Sequence, residues 1–142
     1  MKLEKKYVSF QDDRGSIVDV IESINFNGAT VITSKAGSIR GNHFHKKTVQ
    51  YAFVLEGKIL AKSKKVGMDL EEVTLEPGDL ISHDFYEAHM FEALVDSKFL
   101  VLSSGLRTGK DYELDTFRLS SLIDDFSETD IKWILFLLMN HC

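Results

Sequence analysis

The chain has 142 residues, 44% of them hydrophobic and 27% charged, with a formal net charge of −5. That is length for one globular unit, and the composition excludes a disordered or fibrous chain. The negative balance, with no Lys/Arg run longer than a pair, argues against a nucleic-acid partner.

From the first residue, MKLEKKYVSFQDDRG is basic and then acidic, without the apolar stretch a signal peptide needs, so export is not expected. The lone cysteine, Cys142, suits a reducing compartment, and the cytoplasm is the expected location. Short β-rich runs then succeed one another: SIVDVI (16–21), ATVITS (29–34), QYAFVL (50–55), KILAKS (58–63), EVTL (72–75), HMFEAL (89–94) and KFLVLS (98–103). Turn residues separate them, and spacing of this kind predicts an all-β sandwich or barrel. Within VLEGKIL, Glu56-Gly57 reads as a two-residue hairpin loop, since glycine supplies the positive φ such turns require.

The end of the chain differs. Ser127 precedes Asp130 by three and introduces IKWILFLLM (131–139), a capping box leading into a helix apolar on every side. It is too short to cross a bilayer, which needs about 20 residues. The expectation is a single domain over 1–126 with an apolar helical tail over 127–142, packed on the barrel or between subunits.

The chemistry concentrates in "HFHKKTVQ", residues 43–50. On a strand, residues two apart share a face, so His43 and His45 project into one space. Around them stand Gly37, His43-x-His45, Gln50 and Gly57, with intervals of five, four and six residues. This frame resembles the first motif of the cupin superfamily, G-x5-HxH-x3,4-E-x6-G, with Gln50 for the usual Glu. The second motif, G-x5-PxG-x2-H-x3-N, laid on Gly78 falls on His89, with Asp84, Tyr86 and Ala93 replacing the usual Pro, Gly and Asn.

The resemblance implies the cupin double-stranded β-helix, a jelly-roll barrel with His43, His45, Gln50 and His89 converging inside. In cupins this set holds zinc, manganese, iron, nickel or copper. Here a neutral amide replaces the carboxylate, which weakens the hold on a divalent cation, so both metal-bound and metal-free sites stay open. The segment SIRGNHFHK (38–46) further resembles the cupins that act on nucleotide-linked deoxysugars, the 3,4-ketoisomerases, and RGNH-x-H segments of polysaccharide-biosynthesis enzymes. That resemblance implies a sugar-type ligand, proton transfer by His43 and His45, Arg40 near the pocket mouth, and a homodimer. The metal-dependent oxygenase or isomerase and the non-catalytic sugar-binding module are the alternatives.

Of the aromatic residues near the motifs, Tyr86 is the candidate for the pocket, while Tyr51 and Phe53 are expected on the outer face of a strand whose residues 50, 52 and 54 point inward. His83 reads as a partly exposed loop histidine and His141 as a solvent-facing tail residue. Arg107, Lys110 and Arg118 alternate with Asp111, Glu113 and Asp115, which reads as a solvated charged loop.

Overall fold

Apolar alternation with β-branched and aromatic residues does build strands here, and the computed structural model describes residues 1–105, 113–119 and 126–140. The strands are β1 (Lys2–Lys5), β2 (Phe10–Asp12), β3 (Gly15–Ile17), β4 (Gly28–Ser34), β5 (Ile39–Phe44) and β6 (Val49–Glu56). They continue with β7 (Ile59–Lys65), β8 (Glu71–Leu75), β9 (Asp79–His83), β10 (Glu87–Ala93), β11 (Ser97–Ser104) and β12 (Phe117–Arg118), and α1 (Glu128–Met139) closes the series.

Two five-stranded antiparallel sheets form, in the orders β1-β9-β6-β11-β4 and β12-β5-β10-β7-β8, with β2 and β3 paired separately. Ala52 and Val54 of β6, Ile81 of β9, and Phe99 and Val101 of β11 meet Ile59 and Ala61 of β7 and Leu75 of β8 in one buried cluster. The inner faces of the two sheets therefore form the core, as the alternation on these strands requires. Residues 52 and 54 point inward as expected.

Glu56-Gly57 is not a hairpin loop. β6 pairs with β9 and β11, whereas β7 pairs with β10 and β8, so the chain changes sheets at this corner. Gly57 does have a positive φ, +94°. A Cβ there would run into Ser97 Oγ and come within 2.6 Å of the Asp96 carbonyl. The glycine is required by close approach of the β10–β11 turn, not by hairpin geometry. The run at 16–21 is also shorter than expected: β3 ends at Ile17.

A second apolar cluster lies outside the β5–β10 pair, where Phe44, Ala88, Met90 and Phe126 are buried and Phe117 and Ile131 pack against them. This is how the tail docks. The helix begins at Glu128, and the Ser127 N–H donates to the Asp130 carboxylate at 2.8 Å, as the capping box predicts. Leu135, Phe136 and Met139 remain exposed. Among the described residues, no helix is long and apolar enough to cross a membrane.

Candidate functional site

The local geometry of "RGNH" creates the site. Gly41 and Asn42 both have positive φ, +87° and +57°, and the β5–β10 register shifts beside them, from Met90↔Gly41 to His89↔His43. This is a β-bulge, one extra residue that re-aims the side chains after it. A Cβ on Gly41 would sit 2.8 Å from the His89 carbonyl oxygen, so only glycine lets β10 come this close. Beyond the bulge, His43 and His45 share the inner face with His89. Ring centroids are 4.8 Å apart for His43–His45 and for His43–His89, and 5.3 Å for His45–His89. One donor atom from each of the three lies within 4.8 Å of the others, and all three residues are buried.

Two of these rings have a fixed tautomer. His45 Nδ1 is 2.6 Å from the Asp115 carbonyl oxygen and His89 Nδ1 is 3.0 Å from that of Glu87. A carbonyl can only accept, so each Nδ1 carries the proton and each Nε2 carries a lone pair. Behind His89, Glu87 is almost fully buried. Burial opposes its charge, yet the Asp84 N–H, the chain's amino group and the Ser63 hydroxyl outweigh it and hold the carboxyl below its ordinary value.

A cavity of about 230 Å³ opens onto His43, His89 and the buried Gln50. Ile32, Phe91, Phe99 and Val101 form its apolar wall. Ile39, Arg40 and Arg118 also line it and are exposed, which locates the mouth. The Arg40 guanidinium donates to Ser34 Oγ (2.8 Å) and the Thr33 carbonyl (2.9 Å), and Arg118 donates to Glu113 at 2.6 Å. His43, His45, Gln50 and His89 are thus brought to one region, with Arg40 at its entrance.

Other expectations need correction. Tyr86 does not line this cavity. Its positive φ, +57°, sits in the β9–β10 turn, and its ring stacks on Phe44 at 6.1 Å, on the opposite face of β5 from the histidines. His83 is no loop residue: it is buried at the end of β9 and stacks on His89 at 4.5 Å with an 18° interplanar angle. The signal was Ile81-x-His83, since Ile81 is in the core and residues two apart share a face. Burial, and after it the neighbouring His89, lowers the His83 imidazole well below its usual 6.5. Asp115, expected in a solvated loop, is 3% exposed. Its carboxylate accepts from the Lys46 and Lys47 N–H groups and the Thr48 hydroxyl, a convergence that no spacing rule could reveal across 67–69 residues. Tyr51, as expected, faces an outer groove with Lys2, Glu4 and Ser82. Arg107, Lys110 and His141 lie outside the described residues.

The donor set fits a divalent transition metal. Three imidazoles with converging nitrogens, two of them anchored through Nδ1–H to carbonyl oxygens, are the arrangement such ions take. The same fixed, basic nitrogens also suit proton transfer.

Two antiparallel sheets enclosing an HxH pair and a third histidine from a later strand are the architecture of the cupin fold. Residues 10–103 match the model of the polysaccharide biosynthesis C-terminal domain, and the chain belongs to that family. No curated protein sequence matches it. Among solved structures, the chain is similar to the dTDP-4-dehydrorhamnose 3,5-epimerase of Sulfolobus tokodaii (TM-score 0.71, 21% identity, covering 91% of this chain and 86% of that one). It is similar to a sugar 3,4-ketoisomerase from Thermoanaerobacterium thermosaccharolyticum in complex with TDP (TM-score 0.71, 20% identity, 90% and 94%). The RmlC epimerase of Mycobacterium tuberculosis is a further match (TM-score 0.71, 18% identity, 84% and 68%).

Proposed function

We propose that the protein modifies a nucleotide-linked sugar by proton transfer, as a 3,4-ketoisomerase or epimerase, with His43 and His45 as the proton-carrying groups. The observation that carries this reading is the pairing of a histidine cluster with a small cavity whose mouth has two guanidinium groups. The cavity accommodates a sugar ring against Phe91 and Ile32, and the cations at the mouth suit a diphosphate. The epimerases and ketoisomerases of similar fold support the same class of substrate.

Moving a ketone from C4 to C3 removes the C3 proton, passes through an enediol and delivers a proton to C4. An imidazole lone pair accepts the first proton, and the conjugate acid returns one, near neutral pH. Arg40, held by Ser34 and Thr33, orients the ligand without itself moving a proton. The composition favours a cytoplasmic location, and a homodimer is proposed with it; sedimentation velocity tests the latter.

A second reading rests on the convergence of the three imidazoles. His43, His45 and His89, with Gln50, would hold zinc, manganese, iron or nickel. Bound there, the metal would supply Lewis-acid polarisation of a carbonyl oxygen. The chain's own contribution is then to hold the ligand nitrogens in place, which withdraws them from base chemistry.

The test is solvent exchange. Incubation with dTDP-4-keto-6-deoxyglucose in heavy water should wash deuterium into C3 or C4, and His45→Asn should abolish it. Binding of the nucleotide sugar with no exchange would make this a sugar-binding module, and exchange lost on chelation would favour the metal reading.

A further inference from the structure

We infer that Asp115 is a positioning residue for His45, reaching it from both its side chain and its backbone; this rests on the proposed role of His45 in proton transfer. Asp115 ends a single helical turn over 113–115 and leads directly into β12, which pairs with β5 through Phe117↔Phe44 and Arg118↔His43. The residue is buried, and its carboxylate is met by three donors. Lys46 N–H donates to Oδ1 at 2.9 Å, and Lys47 N–H (2.9 Å) and Thr48 Oγ1 (2.7 Å) donate to Oδ2. Charge-assisted hydrogen bonds of this kind offset the cost of taking a carboxylate out of water.

These bonds hold the turn immediately after His45, between the strand that leads into the HxH pair and the strand carrying Gln50. The same residue's carbonyl oxygen takes the His45 Nδ1 proton at 2.6 Å. The carboxylate therefore fixes where the His45 backbone leaves β5, and the carbonyl fixes which ring nitrogen keeps its lone pair. A histidine side chain in water favours the opposite form, with the proton on Nε2. Without the carboxylate the turn is released, the carbonyl loses its alignment with the ring, and the lone pair no longer belongs to one nitrogen. A residue that served stability alone would leave the tautomer untouched.

The experiment is long-range proton–nitrogen spectroscopy of the full-length protein labelled at histidine ring nitrogens. In the wild type His45 is expected as the Nδ1–H form. Asp115→Ala should shift it toward Nε2–H, and Thr48→Val, which removes one strut, should shift it less in the same direction. His89, anchored by Glu87, should not move in either variant. In the deuterium-exchange assay Asp115→Ala should lower kcat about 10- to 100-fold, the usual effect of losing a group that orients a working histidine, with little change in KM. If the wild type shows no exchange but the tautomer shifts, the isomerase reading fails and the positioning role stands. A folded Asp115→Ala that keeps His45 as Nδ1–H overturns the inference whatever its rate. Should that variant not fold, an unchanged tautomer in Thr48→Val overturns it instead.

Discussion

His43 stands directly across the β5–β10 ladder from His89, their rings 4.8 Å apart, because the bulge at Gly41 and Asn42 resets the register between the two strands. Gly41→Ala should therefore do more than strain one residue. A side chain at φ +87° costs about 1–3 kcal/mol, and here it would also press on the His89 carbonyl. Gly37→Ala is the control, since its φ is +81° but a Cβ would meet nothing within 4 Å. Urea unfolding should show a larger loss for Gly41→Ala, and nucleotide-sugar binding should be lost only in that variant.

Gln50 leaves the cluster without a carboxylate, so Gln50→Glu should raise its affinity for zinc. At an effective dielectric constant of about 20, opposite unit charges 4 Å apart attract by about 4 kcal/mol. After the cost of burying the new charge, a gain of about tenfold, or 1.4 kcal/mol, is the conservative expectation. Titration calorimetry of both proteins checks it. Without metal the variant should be less stable than the wild type, because a buried carboxylate lacks its counter-ion.

His83 gives the fold a pH dependence of definite sign. Its imidazole stays neutral in the folded protein, chiefly because it is buried and then because of His89, the chain's amino group, His45 and His43. The unfolded chain takes up a proton there below about pH 6.5. Protons therefore favour unfolding, and stability should fall as the pH drops below that value, by at most about 1.4 kcal/mol per pH unit from this residue. Denaturant midpoints measured from pH 7.5 to 5 should have a shallower slope in His83→Phe than in the wild type.

Phe44 is fully buried, stacks on Phe117 and meets Phe126 at a tilt, both at 5.3 Å. It joins β5 to β12 and to the segment leading into the helix. Phe44→Ala should cost about 3–5 kcal/mol. Because β12 begins at Phe117, two residues after Asp115, hydrogen exchange at residues 113–119 should rise more than at β11.

The histidine set was legible in the sequence because two spacing rules met in it: alternation on a strand joined His43 to His45, and the interval from Gly78 found His89. Gln50 came from the same frame. Anything that breaks or outruns a period stays hidden. Arg40-Gly41-Asn42 has turn chemistry and so does not look like part of β5, although a bulged strand uses the same residues. Glu56-Gly57 has the letters of a hairpin, and only the pairing of β6 and β7 with different strands distinguishes a corner from one. Asp115 sits among alternating charges, and its burial is made tolerable by a turn some 67–69 residues earlier that presents three donors to it. Tyr86 falls near the second motif, but its left-handed backbone turns it to the opposite face.

The corner at Gly57 has a kinetic counterpart. Among the described strands, only β2–β3 and β7–β8 pair with their neighbours in the chain; every other ladder joins segments separated by intervening strands. Little of this architecture can assemble locally, and topologies dominated by distant pairings reach the native state in milliseconds to seconds instead of microseconds. The imidazoles of β5, β9 and β10 can gather only after both sheets have closed over them. A nascent or truncated chain therefore offers separate histidines to passing metal ions, and a gathered cluster exists only in the finished barrel.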